Sequence, residues 1–479
     1  MRISVIKTIV AFLMVMGAIQ SKAQVKLASL FTSNMVLQQQ MDVPIWGWDT
    51  PGKAITIITS WNKKLYKAAA DQTGKWKIKI STPAAGGPYT ITISNGQITK
   101  LDNVLIGEVW VLGGQSNMEM PMKGFKGQPI TASNEAILKS KNNNVRLYTV
   151  PRSSVTEVQQ NSKPSEWRVA SPEFVSNFSA TGYYFGRLLN DMLNVPVGLI
   201  NCSYSGSFAE AWVDADVLKA FPTVKIPAKT DTIKQVSRTA TTLYNGMLHP
   251  ILGYGIKGAI WYQGESNYDN PDQYEKLFPA LVARWRELWA QGDFPFYFAQ
   301  IAPYDYAQLP PYNKGGKYNS AYLRDAQRKS QKTIPNSAMA VLMDIGEQAS
   351  IHPAHKEPGG TRLAYLALGK TYGIKGFGFT SPEYESITVK DMAAVIRFVN
   401  ANNGLTSYSK PLTQFEIAGD DQKFYPAKAV INGSSVTVSA PQVKKPVAVR
   451  YAFRDFIVGE LYGTDGLPVS SFRTDNWPM

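Results

Sequence analysis

Between residues 106 and 375 the chain repeats one pattern: an apolar run, a loop, then an amphipathic helix. The runs Val109–Leu112, Val197–Ile200, Ile256–Tyr262, Phe296–Ile301 and Ala338–Ile345 show little polar alternation. A parallel sheet needs strands of this kind, because helices cover both of its faces. The clearest helix is 271–291. Asn270 stands at its cap, Pro271 at its first position, and Gln273 where a capping box would close. Leu277, Phe278, Leu281, Val282, Trp285 and Leu288 then form one apolar stripe, and Gly292 stops it. The pattern predicts a three-layer α/β/α domain.

The flanks are written differently. Residues 24–105 alternate apolar and polar, as in Ile55–Ile58, Trp76–Ile80 and Tyr89–Ile93, with turns at Pro51-Gly52 and Gly86-Gly87-Pro88. Short strands so spaced predict a β-sandwich. From 376 to 479 the alternation returns in Ala394–Phe398, Ser435–Val438 and Val447–Tyr451, with Asn432-Gly433 as a hairpin turn. A second β-domain is expected there. Ahead of all three, residues 1–23 read as a secretory signal: Arg2 and Lys7, an apolar stretch from Ile9 to Ile19, and a small-residue cleavage site near Ala23. The expectation is export to a periplasm or the exterior, with no membrane span in the mature chain.

A length of 479 residues allows two to four domains. With 44% hydrophobic and 18% charged residues, disordered and coiled-coil chains are excluded. A single cysteine, Cys202, excludes a disulfide framework, an iron–sulfur cluster and a cysteine zinc site. Three histidines, His249, His352 and His355, leave little for a histidine metal centre, so no metal is expected. The formal charge of +14 is scattered, without a basic helix or arm, and nucleic acid is not an expected partner.

Four strand ends carry polar residues that packing does not call for. Gly113-Gly-Gln-Ser-Asn-Met118 follows the first strand, and catalytic groups of open α/β sheets gather at such carboxyl ends. Ser116, among glycines that permit a sharp turn, is a candidate nucleophile. Gly206, in Ser203-Tyr-Ser-Gly-Ser207, can offer an N–H to an oxyanion. Gln263-Gly-Glu-Ser-Asn267 adds amides and a carboxylate. His352, in the loop after the last strand, is on the right edge to be the base for Ser116. His355 and His249 read as loop and rim residues. Trp212, Trp261 and Tyr262 are candidates for stacking on a sugar, with core packing an equal alternative.

The block Gly-Gln-Ser-Asn-Met at 114–118 resembles the nucleophile block of the SGNH (GDSL-type) hydrolases, in the branch of sialate O-acetylesterases and related carbohydrate acetylesterases. The resemblance runs on through Met35–Gln38, Pro44–Gly47, Gly107–Trp110, Glu210–Trp212 and Leu243–Met247. It continues through Trp261–Asn267, Leu323–Gln327, Ile351–Pro353 and Phe472–Asp475. It implies an SGNH-type domain between two β-sandwich-like domains, removing O-acetyl groups from a glycan or sialic acid without metal or cofactor. Carried over by position, Ser116 is the nucleophile and His352 the base. Ser116 and Gly206 supply oxyanion N–H groups, and Trp212 and Asn267 contact substrate. Two positions depart from the superfamily pattern. The superfamily has Gly, one residue and Asn in its third block, whereas here Gly264 is followed by Glu265 and Ser266 before Asn267, so the third oxyanion donor is Gln263 or Asn267, with Gln263 favoured. The position three before His352 is Ala349 rather than Asp, so the acid behind His352 either comes from elsewhere, with Glu265 as the candidate, or is absent. Two alternatives stand beside this reading: an acetyl-xylan or other polysaccharide esterase, and a non-catalytic carbohydrate-binding protein.

Overall fold

The architecture turns on one long strand. In the computed structural model, which describes residues 24–309 and 319–478, β1 spans Ile98–Gly114, 17 residues. Its first half pairs antiparallel with Gly86–Ser94 and parallel with Val36–Gln38, in the amino-terminal part of the chain. Its second half is the centre of the α/β sheet. The remaining strands of that sheet are β2 (Asn142–Thr149), β3 (Arg168–Ala170), β4 (Val197–Ser203), β5 (Gly258–Tyr262), β6 (Phe296–Ala299) and β7 (Ser337–Ala340). Their spatial order is β3-β2-β4-β1-β5-β6-β7, parallel throughout except for the edge strand β3. The chain leaves β1 toward β4 and β2 on one side and later fills β5, β6 and β7 on the other. The carboxyl end of β1 is therefore a topological switch point, where ligand sites of such sheets lie.

The two faces of β1 explain the layers. Val109 and Val111 join one core with Leu277, Phe278, Leu281, Val282 and Trp285 of the helix Pro271–Trp289. Trp110 and Leu112 join the other, with Phe185 and Leu189 of Ala180–Leu193 and Leu363 and Leu366 of Glu357–Leu366. All of these side chains are buried, so a continuous apolar run serves both faces. The three-layer fold is as the sequence pattern predicts. Details differ at the ends. β7 stops at Ala340 rather than Ile345, because it is the sheet edge and pairs only with β6. The helix from Pro271 has no side-chain cap from Asn270, and Gln273 closes no capping box. The Gln273 amide instead donates to Glu210 at 2.5 Å.

The amino-terminal strands alternate as expected: in Lys75–Ser81, Trp76, Ile78 and Ile80 are buried while Lys77 and Lys79 face out. The carboxyl-terminal region forms two four-stranded sheets, with Gly433 at φ 61° in the Asn432 hairpin. Arg324, fully buried, ties this region to the α/β domain by donating to the carbonyls of Arg454 and Asp455 and to Ser471. The signal-like segment 1–23 lies outside the described residues. Among the described residues, no helix is long and apolar enough to cross a membrane.

Candidate active site

β1 ends on Gly113 and Gly114. Gly114 has φ 133°, and a Cβ there would sit 2.1 Å from the Tyr262 carbonyl oxygen of β5. Only glycine lets the chain pass this close and turn, which brings Ser116 to the start of the short helix Ser116–Glu119. His352 arrives from the loop between β7 and Glu357–Leu366. Its Nε2 lies 2.7 Å from Ser116 Oγ. Its Nδ1 lies 2.7 Å from Oε1 of Gln128, and the Phe125 ring packs edge-on at 5.5 Å. A carbonyl oxygen can only accept, so Nδ1 carries the proton and the Nε2 lone pair faces the serine. Both neighbours come from one turn, closed by Gln128 N–H donating to the Phe125 carbonyl at 2.9 Å.

The loop after β4 lies against the Gly114 turn and the helix Ser116–Glu119. Tyr204 N–H donates to the Gly114 carbonyl at 3.0 Å, and Ser205 N–H to Glu119 Oε2 at 2.7 Å. Gly206 follows at φ 70°. Among the described residues, neither the Ser116 nor the Gly206 N–H has a protein acceptor. Two backbone donors are thus free for a developing oxyanion.

Behind the serine is a buried polar chain. Asn117 donates from Nδ2 to Glu265 Oε1 at 2.5 Å and to the Ile351 carbonyl at 3.0 Å. Its Oδ1 accepts from Lys356 Nζ at 2.5 Å. Glu265 and Lys356 are 3% and 2% exposed, so one amide bridges a carboxyl and an amine that water scarcely reaches. Burial pushes the Glu265 carboxyl up and the Lys356 amine down, the latter to about 7. The Ile351 bond matters most for geometry, because it fixes the residue before His352 to the residue after Ser116.

Over residues 106–364 the sequence matches the family described as carbohydrate esterase, sialic acid-specific acetylesterase. Sialate O-acetylesterases of Homo sapiens and Pongo abelii are each 31% identical over 395 residues, covering 76% of this chain and 74% of theirs. A carbohydrate acetylesterase from Xanthomonas citri has a structure that superimposes with a TM-score of 0.85, at 33% identity over 95% of this chain and 100% of that one. The chain belongs to the sialic acid-specific acetylesterase family. It is an esterase with the SGNH-type α/β/α fold that its motif series implies.

Several sequence expectations for this esterase need correction. Glu265 does not touch His352: its Oε1 is taken by Asn117, and Gln128 occupies the Nδ1 side. Gln263 is fully buried, and its Nε2 is spent on the Ser207 carbonyl and Asn267 Oδ1. Asn267 is equally committed, accepting from Ala209 N–H and donating to both oxygens of Glu210. The reason is local: Gly264 at φ 146° curls the segment inward, so these amides brace the Gly206 loop from beneath. Trp212 is 0% exposed, donates to Ser207 Oγ at 2.9 Å and packs on Trp261, so it is core rather than a sugar platform. His249 bonds the Gln159 carbonyl at 2.8 Å, in a separate place from the serine. Sequence reasoning passed over Gln128, Asn117 and Lys356. Asn117 stood inside the quoted motif, and Lys356 falls four residues after His352, but Gln128 is an exposed loop glutamine with no signal of its own.

Burial, helped by the Lys356 charge, lowers His352 to about 4. The neutral base then survives well below the usual histidine range. The acid limb of kcat/KM on an aryl acetate is expected at about pH 4 rather than near pH 6.5. In Gln128→Glu a carboxylate would face Nδ1 and stabilise the imidazolium, so the limb should move upward. A wild-type limb at the ordinary histidine value, or an unmoved limb in Gln128→Glu, would contradict this account.

Proposed function

We propose that this esterase removes O-acetyl groups from sialic acids through an acyl-enzyme on Ser116. The observation that carries the reading is the 2.7 Å approach of His352 Nε2 to Ser116 Oγ. His352 takes the hydroxyl proton as Oγ bonds to the acetyl carbonyl carbon. The N–H groups of Ser116 and Gly206 receive the oxyanion, one such donor typically contributing roughly 3–4 kcal/mol to the barrier. His352 then returns the proton to the departing sugar oxygen. In the second step it takes a proton from water as the water oxygen bonds to the acetyl carbon, and gives that proton to Ser116 Oγ as the acyl bond breaks and acetate leaves. Gln128 replaces the usual carboxylate behind the histidine: it sets the tautomer without adding charge. The reading includes export by residues 1–23, with cleavage near Ala23.

The test compares acetate release from 9-O-acetylated sialic acid and from acetylated xylan. The sialate is expected to give a kcat/KM at least about 10-fold higher, as one good polar discrimination allows. A preference for xylan would transfer the activity to plant polysaccharide. Acetate from neither would remove the deacetylase reading.

A further inference from the structure

Two arginines flank the loop that carries Gly206, and they differ in one respect. Arg152 lies over the Tyr204 ring at 4.6 Å and forks onto Glu119 at 2.7 and 2.6 Å, so its charge is already matched. Arg238 lies over the Phe208 ring at 5.0 Å. It is exposed and has no carboxylate partner among the described residues. Phe208 is two residues beyond Gly206, on the same loop.

Arg238 does not sit on a loose surface segment. Ser237 Oγ donates to the Gly206 carbonyl at 3.3 Å, and Phe208 N–H donates to the Ser237 carbonyl at 3.3 Å. Thr241 N–H donates to the Glu210 carbonyl at 2.9 Å. Arg238 and Thr239 N–H both donate to the Gln235 carbonyl, which makes the segment a turn. The backbone that positions Gly206 therefore also holds, over the ring of Phe208 two residues away, a guanidinium with no carboxylate partner among the described residues. A guanidinium with one face on an aromatic ring keeps its N–H edges available, and their spacing matches a carboxylate.

We propose that Arg238 binds the carboxylate of an O-acetylated sugar acid while its acetyl group is at Ser116. This rests on the deacetylase reading and adds the charge of the substrate to it. Arg238 is a specificity residue: it acts on the sugar's carboxylate, away from the acetyl carbon. The same chemistry is offered by a sialic acid and by a uronic acid.

The experiment measures kcat/KM for acetate release from an O-acetylated sialic acid and an O-acetylated galacturonide, each as free acid and as carboxyl methyl ester. Wild type is expected to favour the free acid of the true substrate by about 10- to 100-fold, chiefly through KM, as suits one charge-assisted fork. Arg238→Ala should bring that ratio close to one, and Arg238→Lys should restore part of it. Which sugar shows the preference distinguishes sialate from uronate. A wild-type ratio near one for both sugars, or a ratio that Arg238→Ala leaves intact, would reduce Arg238 to a surface charge while the deacetylase reading stands. No acetate from any form with wild type would end both readings together.

Discussion

Replacing Ser116 with alanine is expected to cut kcat for acetate release by roughly 10⁴-fold or more, and His352→Ala by a similar factor. The two groups act as a unit: the serine hydroxyl is a weak nucleophile unless Nε2, at 2.7 Å, receives its proton. The double variant should therefore lose little beyond either single one. Additive losses would mean two separate roles. Neither change should unfold the protein. The serine loses one oxygen from a nearly buried position, and the histidine lies on a loop rather than in a sheet core. Circular dichroism and a melting curve check this; an organophosphonate should label wild type at Ser116, not label Ser116→Ala at all, and label His352→Ala far more slowly. Turnover near wild type in either variant would sink the acyl-enzyme.

The second large effect is expected at Asn117. Its amide joins Glu265, Lys356 and the Ile351 carbonyl, so Asn117→Ala strands two buried ionisable groups and frees the backbone beside His352. An unsatisfied buried polar group costs about 1–3 kcal/mol, measurable as a lower urea midpoint. A displacement of about 1 Å at the reacting atoms can cost about 10²-fold in rate, so kcat should fall by that order even in protein that is still folded. Glu265→Gln separates the roles. A glutamine oxygen can still accept from Asn117, so kcat should stay within about 10-fold of wild type. A loss near 10⁴-fold, the size seen when a triad acid is neutralised, would return that role to Glu265.

Ser116 and His352 were legible because each sits where strand order and a turn of small residues leave few options. The apolar runs marked the strands, and Gly113-Gly114 marked the turn. What lay beyond reach was the direction in which the polar residues of the third strand end would point. Gln263, Glu265 and Asn267 look like a donor set, yet the turn at Gly264 sends them under the site to brace it. Trp212 was ambiguous for the same reason: an aromatic next to a buried strand is as ready to fill the core as to meet a ligand. The partner of His352 could not be read at all. A glutamine 224 positions away in an exposed turn has no local pattern that ties it to a histidine.

β1 has an implication for how this molecule can be taken apart. The strand that ends at Gly114, two residues before Ser116, begins in the amino-terminal sandwich, without a break at residue 105. Glu108, in its middle, is held by Gln38 and Gln39 from one side and by the Tyr372 hydroxyl from the other. The sandwich is therefore no detachable accessory. Cutting the chain at the apparent boundary would remove the lower half of the strand and leave Glu108 short of two donors. Grafting another sandwich in its place would require matching the register of a single continuous strand. The two regions should melt as one cooperative unit, and an excised 106–375 fragment should not retain the nucleophile's geometry.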